Sequence, residues 1–141
     1  YGSTEGLADL AGDLQRRVTL LGQTVGFFAD CFKSGKALVP ISNALPFIHL
    51  LGDICLGWAL FWQAGVAARS LADICRAQGV DPKDEAGRSA LLSQNKQAAF
   101  YDGKIHTARY FIKHVLPKTD GVAAAIKSAD LSMLAIDEAG F

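Results

Sequence analysis

The chain has 141 residues, half of them apolar and a fifth charged. That size and composition suit one domain with a buried core and exclude a disordered chain. Lys plus Arg equals Asp plus Glu at 14 each, so the formal charge is zero; nucleic-acid binders carry a basic excess that displaces counterions, and that class is set aside.

The first predicted element covers residues 5–33. Leu7, Leu10, Leu14, Val18, Leu21, Val25, Phe28 and Phe32 recur at steps of three and four, which is one face of a helix. Ser3 or Thr4 suits its N-cap. Ser34-Gly35 ends it, because glycine takes the left-handed conformation without penalty. A loop then runs through Val39, Pro40, Ile41, Ser42 and Asn43.

The second helix is predicted over residues 44–78, closed by Gly79. It is apolar almost all round as far as Ala68 and amphipathic beyond. A helix apolar on every face is expected to be surrounded by others. Gly52, Gly57 and Gly65 each cost about 1 kcal/mol relative to Ala inside a helix, which points to close approach of a neighbour. A membrane span needs roughly 20 apolar residues. Here Asp53 stands mid-stretch, and Pro40 and Pro46 interrupt its start. A charge at the bilayer centre costs about 2.5–3.5 kcal/mol, so the expectation is a buried central helix and no membrane span.

Residues 80–87, with Pro82, form a polar connection. A third helix is predicted over residues 88–116, where Leu91, Gln94, Ala98, Tyr101, Ile105, Ala108, Ile112 and Val115 keep the helical spacing up to Pro117. Gly103, with Ala99 and Ala108 on either side, reads as a close helix–helix contact. A shorter helix covers residues 120–129, and the tail over 130–141 adds at most a turn. There is no alternating strand pattern and no internal repeat. Three long helices of matched length joined by short connections predict an all-α fold: an antiparallel up-down helical bundle plus a shorter C-terminal helix, one domain over residues 1–141.

Cys31, Cys55 and Cys75 are odd in number and lack CxxC spacing, which fits neither a disulfide framework nor a zinc site. They are expected to be reduced and buried in a cytoplasmic protein. No basic stretch leads into an apolar one at the N-terminus, so no secretory signal is visible. The chain opens at Tyr1 and its one Met is Met133, so it is expected to be a fragment of a longer chain.

His49 and Asp53, and likewise Asp102 and His106, sit four apart on shared helix faces. A carboxylate orienting an imidazole suits general-base chemistry, but no nucleophile accompanies either pair. The plainer role is mutual satisfaction of two polar groups near a core. His106 and His114 are eight apart, unlike the helical zinc pair. Ser93 to Lys96 matches S-x-x-K without its companions, since Lys118-Thr119-Asp120-Gly121 is only a near miss. Gly35-Lys36 and Gly103-Lys104 do not complete P-loops, because Asp30 and Ala98 replace the first glycine. Trp58, Phe61 and Trp62 at helical spacing read as core or interface rather than a cofactor cage. No catalytic, cofactor-binding or metal-binding residue is assigned from the residues alone.

Phe100-Tyr101-Asp102-Gly103-Lys104, Ala108-Arg109-Tyr110-Phe111, Val115-Leu116-Pro117 and the tail Asp137-Glu138-Ala139-Gly140-Phe141 form one set of motifs. Gly52-Asp53, Gly57-Trp58, Ala64 and Ala67-Ala68 form another. Together they resemble the C-terminal helical domain appended to a subgroup of large acyl-CoA dehydrogenases, the 3-methylmercaptopropionyl-CoA dehydrogenase type. The resemblance runs from about Leu7 to Phe141. It implies an FAD-dependent parent oxidoreductase of fatty acid metabolism, in which a glutamate takes the α proton of an acyl-CoA thioester and the flavin takes a hydride from the β carbon. In such enzymes those groups lie upstream of the appended domain. Glu5, Glu85 and Glu138 fall at ends or in a connection, so no catalytic or FAD-binding residue is carried onto this chain.

The resemblance implies packing and assembly as the domain's own task. The partners are then the rest of the parent chain and, in a homo-oligomer, other subunits, with the acyl-CoA bound by the parent and no FAD held by this piece alone. The competing reading is a self-contained helical bundle for subunit interaction or for binding a small apolar ligand between helices. A membrane-associated helical protein is the third, disfavoured by Asp53.

Overall fold

A computed structural model describes residues 6–81 and 84–140. Its fold is all-helical, 83% helix, with no strand among the described residues. Ser3, Thr4, Glu5, Pro82 and Phe141, which the sequence reading used, lie outside the described residues.

Helix α1 spans Ala8–Lys33. Gly35, at φ +75°, closes it, and the Lys36 N–H returns to the Cys31 carbonyl at 2.8 Å, the left-handed helix ending that the sequence anticipates. The buried face of α1 differs from the expected one. Leu7, Leu10 and Leu14 are buried, but Thr24 and Cys31 are buried in place of Val25 and Phe32, which are 49% and 56% exposed. The inward line therefore steps 7, 10, 14, 17, 21, 24, 28 and 31, a seven-residue repeat. Thr24 is accommodated because its hydroxyl donates to the Leu20 carbonyl at 2.9 Å.

The expected loop after α1 contains a short helix, α2, Leu38–Ser42, with Val39 and Pro40 buried. Helix α3 spans Ala44–Ala77. Gly79, at φ +66°, ends it, and Val80 N–H bonds the Cys75 carbonyl at 2.9 Å. The expectation that α3 is surrounded by other helices is overturned. Only 17% of its most apolar 18-residue stretch is buried, and Trp58 and Trp62 are 60% and 50% exposed. Added side-chain carbon at Gly52 meets nothing within 4 Å, so that glycine marks no close approach. By length and composition α3 is long and apolar enough to cross a membrane, a property shared by helices that pack against protein.

The single third helix expected over 88–116 is divided. Helix α4 spans Glu85–Gln94 and α5 spans Lys96–Tyr110. Asn95 breaks the run: its backbone is extended, at φ −120° and ψ 101°, and its side-chain oxygen accepts from Gln97 N and Ala98 N. An Asn N-cap starts a helix here although the apolar spacing continues through it. Asp84 caps α4 in the same way, accepting from Ala86 N at 3.1 Å. After α5, Phe111–Val115 widens into a π-turn. Pro117 has no N–H to offer the carbonyl four residues back, and its ring crowds that turn. Helix α6, Lys118–Lys127, starts at once rather than at residue 120. The tail forms two 3-10 turns, Ser132–Leu134 and Glu138–Gly140.

Contacts divide the chain into two compact units. The first holds Leu56–Val115 with the chain up to Leu14, and the second holds Gln15–Cys55 with the chain from Leu116 onward. Helices α1 and α3 each contribute to both. In the first unit, Leu71 and Cys75 of α3 and Ala98 of α5 form a core, with Leu91, Leu92, Tyr101 and Ile105 against it. In the second, Leu50, Leu116 and Ile126 are fully buried. There Arg17 pairs with Asp120, Lys118 Nζ lies 3.0 Å from Asp53, and Phe28 packs on Phe47 with ring centroids 5.1 Å apart.

Candidate functional site

Polar side chains in the first unit gather in two networks. In one, Asp9 lies 3.0 Å from both Arg109 and Lys113, and Lys113 reaches Asp13 at 2.6 Å. Hydrogen bonds from Arg109 and then Lys113 hold the Asp9 carboxyl down at about 2, and Asp13 and Asp9 raise the Lys113 ammonium above its usual range. In the other, Arg88 pairs with Asp102, and His106 Nε2 stands 3.5 Å from the second Asp102 oxygen. These networks join α1 to α5 and α4 to α5. Their arginines are firmly engaged, so they serve as structural ties.

Asp102 and His106 do meet, but Asp102 is committed to Arg88 and His106 is exposed. Asp53 is engaged by Lys118, and His49 is exposed. Ser93 donates to the Ala90 carbonyl at 2.7 Å, and the break at Asn95 separates it from Lys96. His114 stacks on Tyr110 with centroids 5.2 Å apart. Glu85 lies in the first turn of α4 and Glu138 in a terminal 3-10 turn. Cys31 and Cys75 are buried free thiols, whereas Cys55 is exposed, contrary to expectation. Contrary to the expected close contact, added carbon at Gly103 meets nothing within 4 Å, so no helix passes closely over it. Among the described residues no three His, Cys, Asp or Glu side chains converge on a metal position.

Two clefts open in the first unit. One, of about 360 Å³, is lined by Leu7, Leu71, Cys75 and Ile105 together with Arg88, His106 and Arg109. The other, of about 260 Å³, lies between α3 and α5 and is walled by Trp62, Val66, Phe100 and Tyr101, with Gln63 and Lys104. Lys104 Nζ lies 3.2 Å from Gln63 Oε1 and 5.4 Å from the Phe100 ring centroid. Both clefts pair side chains of α3 with side chains of α5, and the first also takes Arg88 of α4, so spacing along the chain did not reveal them. The signal that was present is the charge-free run of α3 from Leu56 to Ala68.

The chain matches the family described as acetyl-CoA dehydrogenase C-terminal like over residues 2–137. It is 30% identical over 99 residues to the broad-specificity linear acyl-CoA dehydrogenase FadE5 of Mycobacterium tuberculosis (strain ATCC 25618 / H37Rv), covering 70% of this chain and 13% of that protein. It is 32% identical over 94 residues to the butyryl-CoA dehydrogenase of Syntrophomonas wolfei subsp. wolfei, covering 67% of this chain and 13% of that protein. The chain thus spans about an eighth of the length of these relatives. No solved structure matches it. Matched over nearly all of its length, this chain belongs to the acetyl-CoA dehydrogenase C-terminal-like family.

Proposed function

We propose that this chain is the C-terminal packing and assembly domain of a larger FAD-dependent acyl-CoA dehydrogenase-like oxidoreductase. The parent oxidises the α,β carbons of acyl-CoA thioesters, is a cytoplasmic homo-oligomer, and stands near the 3-methylmercaptopropionyl-CoA subgroup. The 141 residues act as one domain of a bundle type within it. The family match and the relatives' names support the dehydrogenase setting. The observation that carries the assembly role is the exposed apolar surface of α3, where Leu45, Ile48, Leu56, Trp58 and Trp62 are each about half or more exposed. Monomeric proteins rarely leave such large apolar patches bare.

Three of the described helix starts suit a flavin dinucleotide poorly. Its diphosphate asks for free backbone amides at a helix N-terminus or a glycine-rich turn. Asp84 takes the Ala86 N–H of α4, Asn95 takes the Gln97 and Ala98 N–H groups of α5, and Asp120 puts a carboxylate in the first turn of α6. On this reading the flavin and the glutamate base are held by the rest of the parent.

The test is to purify the full-length gene product, record its flavin absorbance, and assay short and long acyl-CoAs with an artificial electron acceptor. The parent is expected to carry flavin and turn over, and the 141-residue chain mixed with FAD to retain none. A flavin-free, inactive parent would overturn the reading. The cleft of about 360 Å³ beside Leu71 and Cys75 favours a second reading, a small apolar ligand bound between helices; native mass spectrometry of the purified chain would reveal a retained ligand.

A further inference from the structure

The exposed face of α3 in the first unit has a specific composition. From Leu56 to Ala68 it carries no ionisable side chain. Leu56, Trp58, Trp62 and Val66 are between 39% and 60% exposed, and Phe100 of α5 adds a further 58%-exposed ring. Trp62, Val66 and Phe100 wall the cleft of about 260 Å³, room for one large apolar side chain. Lys104 stands at the same cleft. It meets the Gln63 amide and the Phe100 ring, and no carboxylate among the described residues. Aromatic anchors around an apolar cleft with one charge at its edge are the composition of an interface centre rather than of a solvated face.

We propose that this cleft is the seat of an apolar side chain from the remainder of the parent polypeptide, with an Asp or Glu of the same segment beside Lys104. This rests on the reading of the chain as part of a larger dehydrogenase. Two facts select the occupant. The chain spans about an eighth of its relatives' length, so in a parent of that size several hundred residues of the same polypeptide are tethered to it. Tethering sets a local concentration on the order of millimolar, which a second copy at cellular concentration does not match. The lone ammonium at the edge asks for a carboxylate, which sets the charge of the docking segment.

The experiment uses the full-length protein in a Cys55→Ser background carrying Val66→Cys, a change of similar bulk that leaves the helix intact. Maleimide labelling of residue 66 is read by peptide mass spectrometry. A docked cleft slows labelling by at least roughly tenfold relative to the urea-unfolded chain, equally at all protein concentrations. Zero-length carbodiimide coupling then joins Lys104 to an acidic residue outside the 141 within one polypeptide. Lys104→Glu is expected to speed labelling of residue 66.

Fast labelling overturns the proposal. So does protection that appears only at high protein concentration, which assigns the face to a second copy, or only with phospholipid vesicles, which assigns it to a membrane. Flavin content of the same sample keeps the two readings apart: bound flavin with fast labelling rejects the docking alone, whereas absent flavin rejects the dehydrogenase assignment.

Discussion

The Asp9 carboxylate accepts from Arg109 at 3.0 Å, tying the first turn of α1 to the last turn of α5 across 100 positions of sequence. Lys113 reaches the same carboxylate at 3.0 Å. The folded pKa of Asp9 is about 2 against an ordinary 3.8. A depressed carboxyl stabilises the fold fully above the unfolded value, and that stability fades as pH falls through the window from about 4 to about 2. For a half-exposed carboxylate, Asp9→Asn is expected to cost about 0.5–1 kcal/mol near neutral pH. The difference from wild type should vanish toward pH 2. Urea midpoints across that range check it, and a gap that stays constant with pH contradicts the assignment. Lys113, raised chiefly by Asp13, works at the other end: its contribution holds below its ordinary pKa of 10.5 and is lost as pH rises through the raised value.

Gly103 of α5 is exposed and faces open space. A leucine there projects into solvent and removes the glycine penalty of about 1 kcal/mol inside a helix. Gly103→Leu is therefore expected to be neutral or up to about 1 kcal/mol stabilising in the isolated chain. A lowered denaturation midpoint would mean that something covers this position after all.

Asn95 accepts from two successive amides, Gln97 N and Ala98 N, both at 3.0 Å. Asn95→Ala removes both bonds and is expected to cost about 0.5–2 kcal/mol, while Asn95→Asp retains most of the stability. Thermal unfolding of the two variants separates a cap from a mere interruption. Equal losses would show that the amide side chain matters for another reason.

The inward line of α1 makes Leu10 and Val25 unequal although both belong to the apolar pattern. Leu10 is fully buried and Val25 is 49% exposed. Leu10→Ala is expected to cost about 2–5 kcal/mol, whereas Val25→Ala stays within about 0.5 kcal/mol. Comparable losses, measured by urea denaturation of the isolated chain, would restore the face that the apolar residues alone suggest.

Much of the helical content was legible along the chain. Runs at steps of three and four, closed by Gly35 and Gly79, determine where α1 and α3 lie, because hydrogen bonds within a helix and the left-handed tolerance of glycine are local properties. The balanced charge and the family resemblance were likewise written in the residues. The break at Asn95 was legible only as a capping residue, and the apolar rhythm running through it concealed it.

Which side of each helix faces inward was decided by partners distant in sequence. Arg17 is drawn inward by Asp120, and Thr24 is buried beside an exposed Val25. A pattern of apolar residues reports what is able to be buried, and α1 carries more of it than one face holds. On α3 the same surplus marks surface that this chain does not cover. Tertiary packing alone decides which apolar residues its own helices use and which are left at the surface, because burial needs a partner surface that sequence spacing does not specify.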